Sequence, residues 1–382
     1  MLNRRSFLKL SSASLLALGL PLSGCGSGSA SGSGSAGGAG GNAIEKTSDG
    51  LSKVTFVSPT ALESFDYLGI YAGIKMGYFA EEGIELKLVE QTGTDDAKMI
   101  SSGTAQFGYP SPGVMWSCID AGVTNLKAIT NYDIIQIFGI ATNKDAGIES
   151  FDDLKGKDIA LAVESWSALI SPILDKSGLS TSDVNMVVYG DGRYEAVRSG
   201  KAPALATWLS EYSQLVGQGY DLGYLNGNDV APQVSNSLVT STDFIESNPD
   251  IVQGMVNAFT KALYFCYCNP EAAADITLSS CPNLSIDWNG ALGAAQGDIQ
   301  QFFGMEAADQ QAYIDNGIGT FDMEMAQNAA DNLFDSQTIS QQYKAEDYYT
   351  NDFADKVNLD QAAVQADAQA YQFESQQYAD AH

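Results

Sequence analysis

The chain is 382 residues long, carries a formal charge of −28 and contains a single histidine, His382, which is its last residue. A serine or cysteine catalytic triad and a histidine zinc site each need an internal histidine, so neither can be built here. The sequence also lacks a GxxxxGK[ST] phosphate loop. Its negative charge opposes binding to nucleic acid and to anionic lipid head groups. We therefore predict no catalytic residue, no metal site, no cofactor and no nucleic-acid partner.

The N-terminus has the organisation of an export signal. NRRSFLK at residues 3–9 resembles a twin-arginine motif, and the apolar run after it is too short to span a bilayer. LSGC at the end of that run resembles a lipobox, with cleavage before Cys25 and diacylglycerol on its sulfur. We expect a signal in residues 1–24, a lipidated Cys25 with a Gly/Ser linker in residues 25–50, and an extracytoplasmic domain held at the cell membrane only by lipid. The alternative is an ordinary secretory signal with a chance cysteine.

The stretch from Asp66 to Glu90 organises the first part of the domain. Lys53–Val57 before it and Ile84–Val89 near its end have strand patterns. Between them, apolar and aromatic residues recur at helical spacing and are expected to share one buried face: Tyr67, Ile70, Tyr71, Ile74 and Tyr78. Strand, helix and strand together predict a right-handed crossover in a parallel sheet.

Three short phrases in this region occur in a distinctive order: GYF at 77–79, EGIEL at 82–86 and SGTAQFG at 102–108. They resemble the first lobe of the extracytoplasmic solute-binding proteins of ABC importers, of the nitrate/sulfonate/taurine and thiamine-pyrimidine-precursor (NMT1/THI5-like) type. The resemblance implies an α/β fold, a type II periplasmic-binding clamp of two lobes, each with a mixed, mostly parallel sheet flanked by helices. It also implies a monomer that closes on one small molecule and delivers it to an ABC permease.

The chain resembles later parts of this family's sequences in three further phrases, at 147–157, 199–208 and 349–353. Pro203 departs from the pattern, because the family usually has an acidic residue there. We place the segments as follows: lobe 1 at 51–142, lobe 2 at 143–237, and the return to lobe 1 with C-terminal helices at 238–360. Residues 361–382 are rich in Ala, Gln and Asp and are expected to be a polar tail, either a surface helix or a frayed end.

The first lobe supplies ligand-binding candidates in the loops after its strands, because ligands of open α/β sheets lie beyond the carboxyl ends of the strands. The loop after the first strand contains Ser58, Phe65, Asp66 and Tyr67. Its aromatic rings can stack on a flat ligand. Asp66 either pairs with an amine or, as we favour, caps the next helix.

Two later loops of the first lobe add three more candidates. Ser111 is a predicted N-cap and is followed by an N1 proline, which leaves backbone N–H groups available to an anion or a carbonyl. Tyr109 precedes it at the end of a strand. Tyr132 lies between two strand-like runs and is expected to face the cleft.

The second lobe supplies the opposing candidates: Ser165, Trp166, Arg193, Trp208, Glu211 and Tyr212. Ser165 is expected to cap a helix, and Trp166 either contacts the ligand or packs on the core. Arg193 is either the partner of an anionic ligand or a solvated arginine at a helix start. Trp208 follows a strand at the place where the resemblance implies that pyrimidine-precursor binders present a ring, and we expect it to stack on the ligand.

The candidate loops contain many rings and few cations, which favours an aromatic or heterocyclic solute over sulfonate or nitrate. Anion binding and a sensor without transport remain alternatives. A related pyrimidine synthase works through pyridoxal phosphate, an internal histidine and a cysteine-rich iron motif. Here the internal histidine is absent, and Cys266-Tyr267-Cys268 is a poor substitute. The sequence leaves the pairing of Cys118, Cys266, Cys268 and Cys281 open, Cys268 with Cys281 being one possibility.

Overall fold

The computed structural model describes residues 44–91 and 95–382. The predicted signal, Cys25 with its predicted lipid and most of the linker lie outside the described residues. No helix of the described ranges combines the length and the hydropathy needed to cross a bilayer.

The strands and helices alternate through the first two thirds of the chain, and the last third is helical. The strands are β1 Ser52–Ser58, β2 Ile84–Glu90, β3 Phe107–Gly108, β4 Leu126–Asn131, β5 Phe138–Asn143, β6 Asp158–Leu161, β7 Asn185–Val188, β8 Ala204–Trp208, β9 Leu222–Asn226 and β10 Ser237–Ser241. The α-helices are α1 Leu68–Lys75, α2 Tyr78–Glu81, α3 Asp95–Ser101, α4 Pro112–Asp120, α5 Ser167–Lys176, α6 Arg193–Arg198, α7 Leu209–Gly217, α8 Thr242–Ser247, α9 Pro249–Cys268, α10 Pro270–Ser280, α11 Trp288–Phe303, α12 Ala307–Asn316, α13 Met323–Asp335, α14 Gln361–Ala370 and α15 Gln376–Ala381.

Two five-stranded sheets form the two lobes of an α/β clamp, as the sequence predicted. The first sheet has the order β2-β1-β3-β10-β4 and the second the order β7-β6-β8-β5-β9. Both are mixed: β1 runs parallel to β2 and β3, and β6 runs parallel to β7 and β8, whereas β10 and β5 are antiparallel to their neighbours. The central strand β8 is buried along Ala204–Ala206, as expected for a strand covered on both faces.

Two chain segments connect the lobes: residues 132–137 between β4 and β5, and residues 227–236 between β9 and β10. The Asp133 N–H donates to the Asn236 carbonyl at 3.0 Å, and the Ser235 N–H donates to the Asp133 carbonyl at 2.8 Å. The two crossings are therefore bonded to each other. Because β5 belongs to the second sheet, the first crossing precedes Phe138 instead of residue 142, where the sequence placed the lobe boundary.

The helix predicted after Asp66 differs from the structure in two respects. Ser64 caps a 3₁₀ turn at Phe65–Tyr67, so Asp66 lies inside the turn instead of capping it. The α-helix then begins at Leu68 and ends at Lys75. Tyr67, Ile70, Tyr71 and Tyr78 are buried as predicted, but Ile74 is 44% exposed, because the helix ends before its last turn is covered.

The C-terminal helices pack onto the first lobe. Helix α9 begins at the predicted Asn248-Pro249 pair and buries the predicted apolar face: Val252, Met255, Val256, Phe259, Ala262 and Leu263. Helices α7 and α11 approach so closely that a Cβ on Gly293 would lie 2.4 Å from the Ser213 carbonyl oxygen. This contact holds a second-lobe helix directly against a helix that follows the return to the first lobe.

Residues 361–382 are two docked helices and not a frayed end. Val364 and Ala368 of α14 are buried. The fully buried Asp275 of α10 accepts hydrogen bonds from the Tyr371 hydroxyl at 2.7 Å, the Glu374 N–H at 2.8 Å and the Ser375 N–H at 2.9 Å. One carboxylate therefore anchors the segment that joins α14 to α15.

Replacing this anchor should loosen the C-terminal segment. Asp275→Ala leaves several donors without a buried acceptor, and we expect the free energy of unfolding in urea to fall by about 3 kcal/mol, with faster proteolysis after residue 360. Asp380→Ala, an exposed carboxylate of α15, is the control and should change stability by less than about 0.5 kcal/mol. Equal stability of the two variants would contradict the assignment.

Candidate ligand-binding site

A cavity of about 230 Å³ lies between the two lobes. Its walls come from the segments after β1, β3 and β6, including the starts of α4 and α5, from the end of β8 and the start of β5, from both crossings and from α11: Pro59, Thr60, Asp66, Tyr109, Ser111, Val114, Asp133, Ile137, Phe138, Trp166, Leu169, Trp208, Asn236 and Gln301. The position agrees with the rule that open α/β sheets bind ligands beyond the carboxyl ends of their strands. The cavity is thus the candidate ligand site.

Aromatic rings from both lobes form part of the wall. Trp166 and Trp208 meet edge to face, with ring centroids 5.8 Å apart. Tyr109 lines the cavity from the first lobe. Such rings offer flat apolar surfaces with little conformational freedom to lose, which suits binding of a planar solute by stacking.

The other first-lobe aromatic candidates support the wall without lining it. Tyr132 is 2% exposed and packs on Phe302 at 4.4 Å between ring centroids, so the prediction that it faces the cleft is wrong. Its hydroxyl donates to the Asp66 carbonyl at 2.8 Å. Tyr67 is buried too, and its hydroxyl is hydrogen-bonded to Ser58 and to the Thr60 hydroxyl. These tyrosines fix the loop that presents Asp66.

Ser111 both caps helix α4 and lines the cavity. It is the N-cap of α4, as predicted, and its Oγ accepts from the Val114 N–H at 3.4 Å. The same residue lines the candidate site and a second cavity of about 240 Å³, which lies beside it and shares the walls Val114, Phe138 and Leu169. Helix α4 therefore begins at the boundary of the two cavities.

Two aspartates bring carboxyl groups to the cavity. Burial raises the pKa of Asp66 to about 6, and the nearby Glu211 adds to the rise, whereas hydrogen bonds from the side chains of Ser64 and Trp208 oppose it. Asp133 is 1% exposed, and burial raises the pKa of its carboxyl well above the usual range, with a further contribution from Asp66.

Gln301 of α11 links these groups to the second lobe. Its carbonyl accepts from the Ile134 N–H of the first crossing at 2.9 Å, and its side-chain oxygen accepts from the Ser210 N–H of α7 at 3.0 Å. Its amide nitrogen donates to Asp298 at 3.2 Å. Gln301 is 3% exposed, so a single buried residue connects the crossing through its main chain, and a buried acid and a second-lobe helix through its side chain.

Arg193 is committed to a buried ion pair. Its Nη2 lies 2.8 Å from Glu211 Oε1, and the two residues are 8% and 5% exposed. Glu211 also accepts from the Tyr194 hydroxyl and from Thr207 Oγ1. The guanidinium lies 5.3 Å from the ring centroid of Trp166. The prediction of a solvated arginine is wrong, and the pair supports the indole wall from behind.

Phe65 and Tyr212 do not line the candidate site, and the predicted cap at Ser165 is not formed. Phe65 lines a neighbouring opening of about 290 Å³, which shares Thr60, Asp66 and Trp208 with the candidate site. Tyr212 stacks on Tyr224 at 4.7 Å between ring centroids and faces away from the cleft. Ser165 is not the cap of the α-helix: it lies in a 3₁₀ turn at Glu164–Trp166, and α5 begins at Ser167.

The cysteines give no support to an enzymatic site. Cys268 and Cys281 are thiols and not partners in a disulfide, and the Cys281 Sγ lies 3.9 Å from the Leu62 carbonyl oxygen. Cys266 is fully buried, and burial raises the pKa of its thiol far above the usual range. A buried thiol of this kind is inert.

Sequence reasoning missed several lining residues, among them Asp133, Phe138, Leu169, Asn236 and Gln301. Asp133 follows the carboxyl end of β4, so the rule that located Tyr109 applies to it as well. Gln301 carried no such signal, because it lies in helix α11, about sixty residues beyond the end of β10.

Comparison with known proteins identifies the family. A family model described as NMT1/THI5-like matches residues 64–273, more than half of the chain. The chain belongs to this family. It is 27% identical to the riboflavin-binding protein RibY of Chloroflexus aurantiacus over 248 residues, which are 62% of this chain and 68% of that protein.

Further similarities are to other binding proteins. The formylaminopyrimidine-binding protein of Halalkalibacterium halodurans is 22% identical over 230 residues, 58% of this chain and 68% of its own length. The structure of the alkanesulfonate-binding protein SsuA from Xanthomonas axonopodis pv. citri, bound to MOPS, matches with a TM-score of 0.57 and 14% identity, and covers 78% of this chain and 98% of that one. The latter supports the fold alone.

Pyrimidine phosphate synthases also match this chain. A 4-amino-5-hydroxymethyl-2-methylpyrimidine phosphate synthase of Schizosaccharomyces pombe is 31% identical over 160 residues, which are 40% of this chain and 42% of the enzyme. The synthase of Aspergillus parasiticus is 24% identical over 241 residues, which are 58% of this chain and 68% of that enzyme. The family, the fold and the relatives named as binding proteins make the chain a periplasmic-binding-protein-like ligand binder of the NMT1/THI5-like family.

The Arg193–Glu211 pair can be tested through stability. Arg193→Met leaves a buried carboxylate without its cation and should reduce the free energy of unfolding by about 3 kcal/mol or more, whereas Arg193→Met combined with Glu211→Leu should recover most of the loss. Urea unfolding measures both.

The matched control is Arg198→Met, because Arg198 forms an exposed pair with Glu195 at 2.9 Å and its removal should cost less than about 0.5 kcal/mol. A cost for Arg193→Met no larger than that of the control would show that Arg193 is not held by a buried pair.

Proposed function

We propose that this protein is a lipid-anchored, extracytoplasmic solute-binding protein that captures a small aromatic or heterocyclic molecule between its lobes and delivers it to an ABC importer permease. The observation that carries the proposal is the cavity between the lobes, with its two indoles, one tyrosine ring and two carboxyl groups. Planar apolar walls with a few polar groups are typical of small-molecule sites.

The ligand class follows from the side chains around the cavity. Arg193 was the argument for an anion, and its guanidinium is already paired with Glu211. A sulfonate or nitrate in the cavity would instead face Asp66 and Asp133. The names of two relatives, a riboflavin-binding and a formylaminopyrimidine-binding protein, agree with a heterocyclic ligand.

Transport by a hinge movement accounts for the arrangement of the lobes. The two crossings at 132–137 and 227–236 are the only direct strand-to-strand connections between the described sheets. Closure of the lobes around the solute would bury it and present a closed surface to a permease. In this proposal the site residues are Asp66, Tyr109, Ser111, Trp166 and Trp208, and no bond is made or broken.

A ligand screen by thermal shift tests this assignment. Pyrimidines, flavins, aromatic acids, sulfonates, nitrate and small amines are compared, since a ligand at a hundredfold excess over its Kd stabilises the folded state by about 2.7 kcal/mol. We expect a heterocycle to raise the melting temperature and Trp208→Ala to weaken its binding roughly ten- to hundredfold through lost stacking.

Tyr212→Ala is the control, because Tyr212 lies on the helix that follows Trp208 but packs against Tyr224. It should bind the same heterocycle as tightly as the unchanged protein. Stabilisation by sulfonate or nitrate alone, with no effect of Trp208→Ala, would refute the aromatic ligand class.

The anchor is tested in cells. With Cys25→Ser the thioether to diacylglycerol cannot form, so the protein should move from the membrane fraction to the soluble extracytoplasmic fraction and lose labelling by radioactive palmitate. Cys268→Ser, a half-buried thiol of α9, should leave both unchanged. Membrane retention of the Cys25→Ser protein would refute lipid anchoring at this residue.

A further inference from the structure

Asp133 has an unusual position for a carboxylate. It lies in the first crossing, lines the cavity and is 1% exposed. Its main-chain N–H and carbonyl are both used by the second crossing. Its side-chain Oδ1 has no hydrogen-bond partner within the described part of the chain. A buried acceptor of this kind is costly unless a donor reaches it, and Asp133 is a wall residue of the cavity.

Asp66 also lines this cavity and brings a second carboxyl group to it from the turn at Phe65–Tyr67. Its main-chain carbonyl accepts from the Tyr132 hydroxyl at 2.8 Å and from the Tyr109 hydroxyl at 3.3 Å. These two bonds fix the turn at Phe65–Tyr67, so the carboxyl is held at the wall by groups that are themselves buried. Two carboxyl groups, those of Asp66 and Asp133, therefore belong to residues that line one cavity.

No cation of the described chain compensates them. None of the lining residues is Lys, Arg or His. The guanidinium behind Trp166 belongs to the Glu211 pair. The titratable groups coupled to these two aspartates are the acids Asp298 of α11 and Glu211 of α7 and the phenols of Tyr109 and Tyr132, none of them a cation. The main chain of Asn236 and the side chain of Gln301 lower the pKa of Asp133 but bring no charge.

We infer that the ligand is an aromatic or heterocyclic cation, whose N–H groups donate to Asp133 Oδ1 and to the Asp66 carboxylate while its ring lies against Trp166, Trp208 and Tyr109. This inference rests on the proposed function, because it assumes that the cavity between the lobes holds the solute. Amidinium, protonated aminopyrimidine and arylalkylammonium groups have the required donors and charge. A cavity of about 230 Å³ walled by indoles matches an organic cation and is far larger than a metal ion.

Asp133 is part of the first crossing, so the charge of a ligand bound beside it acts directly on the connection between the lobes. Asp133 is bonded to the second crossing through Asn236 and Ser235, and Gln301 connects the neighbouring Ile134 to Ser210 of the second lobe. Burial favours the neutral form of the Asp133 carboxyl, and a cation bound beside it favours the charged form, in the segment about which the lobes move. A neutral analogue with the same ring lacks this electrostatic contribution. Closure of the lobes should therefore depend on the charge of the ligand.

The experiment uses three probes of one size: benzamidine, a cation; benzamide, its neutral counterpart; and benzoate, an anion. Isothermal titration calorimetry of the purified protein at pH 8 should give a dissociation constant at least tenfold lower for benzamidine than for benzamide, with no binding of benzoate. Asp133→Asn should reduce the preference for benzamidine about tenfold and leave benzamide binding unchanged.

Asp133→Asn is expected to fold, because asparagine keeps the shape and the acceptor oxygen and removes a buried carboxylate. Its melting temperature is measured alongside. Asp175→Asn, an exposed carboxylate of α5, controls for overall charge and should keep the full preference. A second readout is the pH profile: benzamidine should bind more tightly as the pH rises from 5 to 8, since Asp66, with a pKa of about 6, becomes charged, whereas benzamide binding should stay flat.

The outcomes separate this inference from the proposed function. Equal affinity for benzamidine and benzamide, tighter binding of benzoate, or a preference that survives Asp133→Asn would overturn the cationic ligand while Trp208-dependent binding still supported the aromatic clamp. If none of the three probes binds and the wider screen shows no Trp208-dependent ligand, both proposals fail.

Discussion

Removing a carboxylate from water is unfavourable unless donors or an opposite charge replace the water, and this chain places three aspartates in one buried region: Asp66, Asp133 and Asp298. The surroundings answer part of this demand. Gln301 donates to Asp298, and hydrogen bonds from the side chains of Ser64 and Trp208 lower the pKa of Asp66. Burial still raises the pKa of all three carboxyl groups. Two of them, Asp66 and Asp133, line the cavity, where a ligand can supply the missing donors.

The contact between the lobes limits the movements available to the clamp. Helices α7 and α11 touch backbone to backbone, since a Cβ on Gly217 would lie 2.3 Å from the Asn289 carbonyl oxygen. A side chain there would force the helices apart. The same α11 carries Gln301, which is bonded to the first crossing and to α7. Movement of the second lobe about the crossings is therefore coupled to a shift along this close helix pair.

Sequence reasoning succeeded where a local pattern determined the structure. The strand and helix order of the first lobe, the Ser111 cap and the buried face of α9 follow from periodicity and capping, and the structure confirms them. The rule about strand ends brought Asp66, Tyr109, Trp166 and Trp208 to the cavity wall. Their contact with a ligand stays a prediction.

The incorrect predictions share one physical cause, which is contact with residues that are far away in the sequence. Arg193 was expected either to pair with an anionic ligand or to lie in solvent, but Glu211, on the helix after the next strand, holds it in a buried ion pair. Tyr132 was expected in the cleft, but Phe302 of α11 covers it. Gln301 was not expected at all, because nothing near it in sequence shows that α11 returns to the crossings. Each depends on a partner far along the chain, which local patterns do not reveal.

A crystal structure of the protein with the tightest-binding solute from the screen would test the proposed binding site most directly. The account predicts that the solute lies between the indoles of Trp166 and Trp208 and the ring of Tyr109, with a nitrogen about 3 Å from Asp133 Oδ1. A solute bound outside the cleft, or one in the cleft that turns an anionic group toward Asp133, would contradict it.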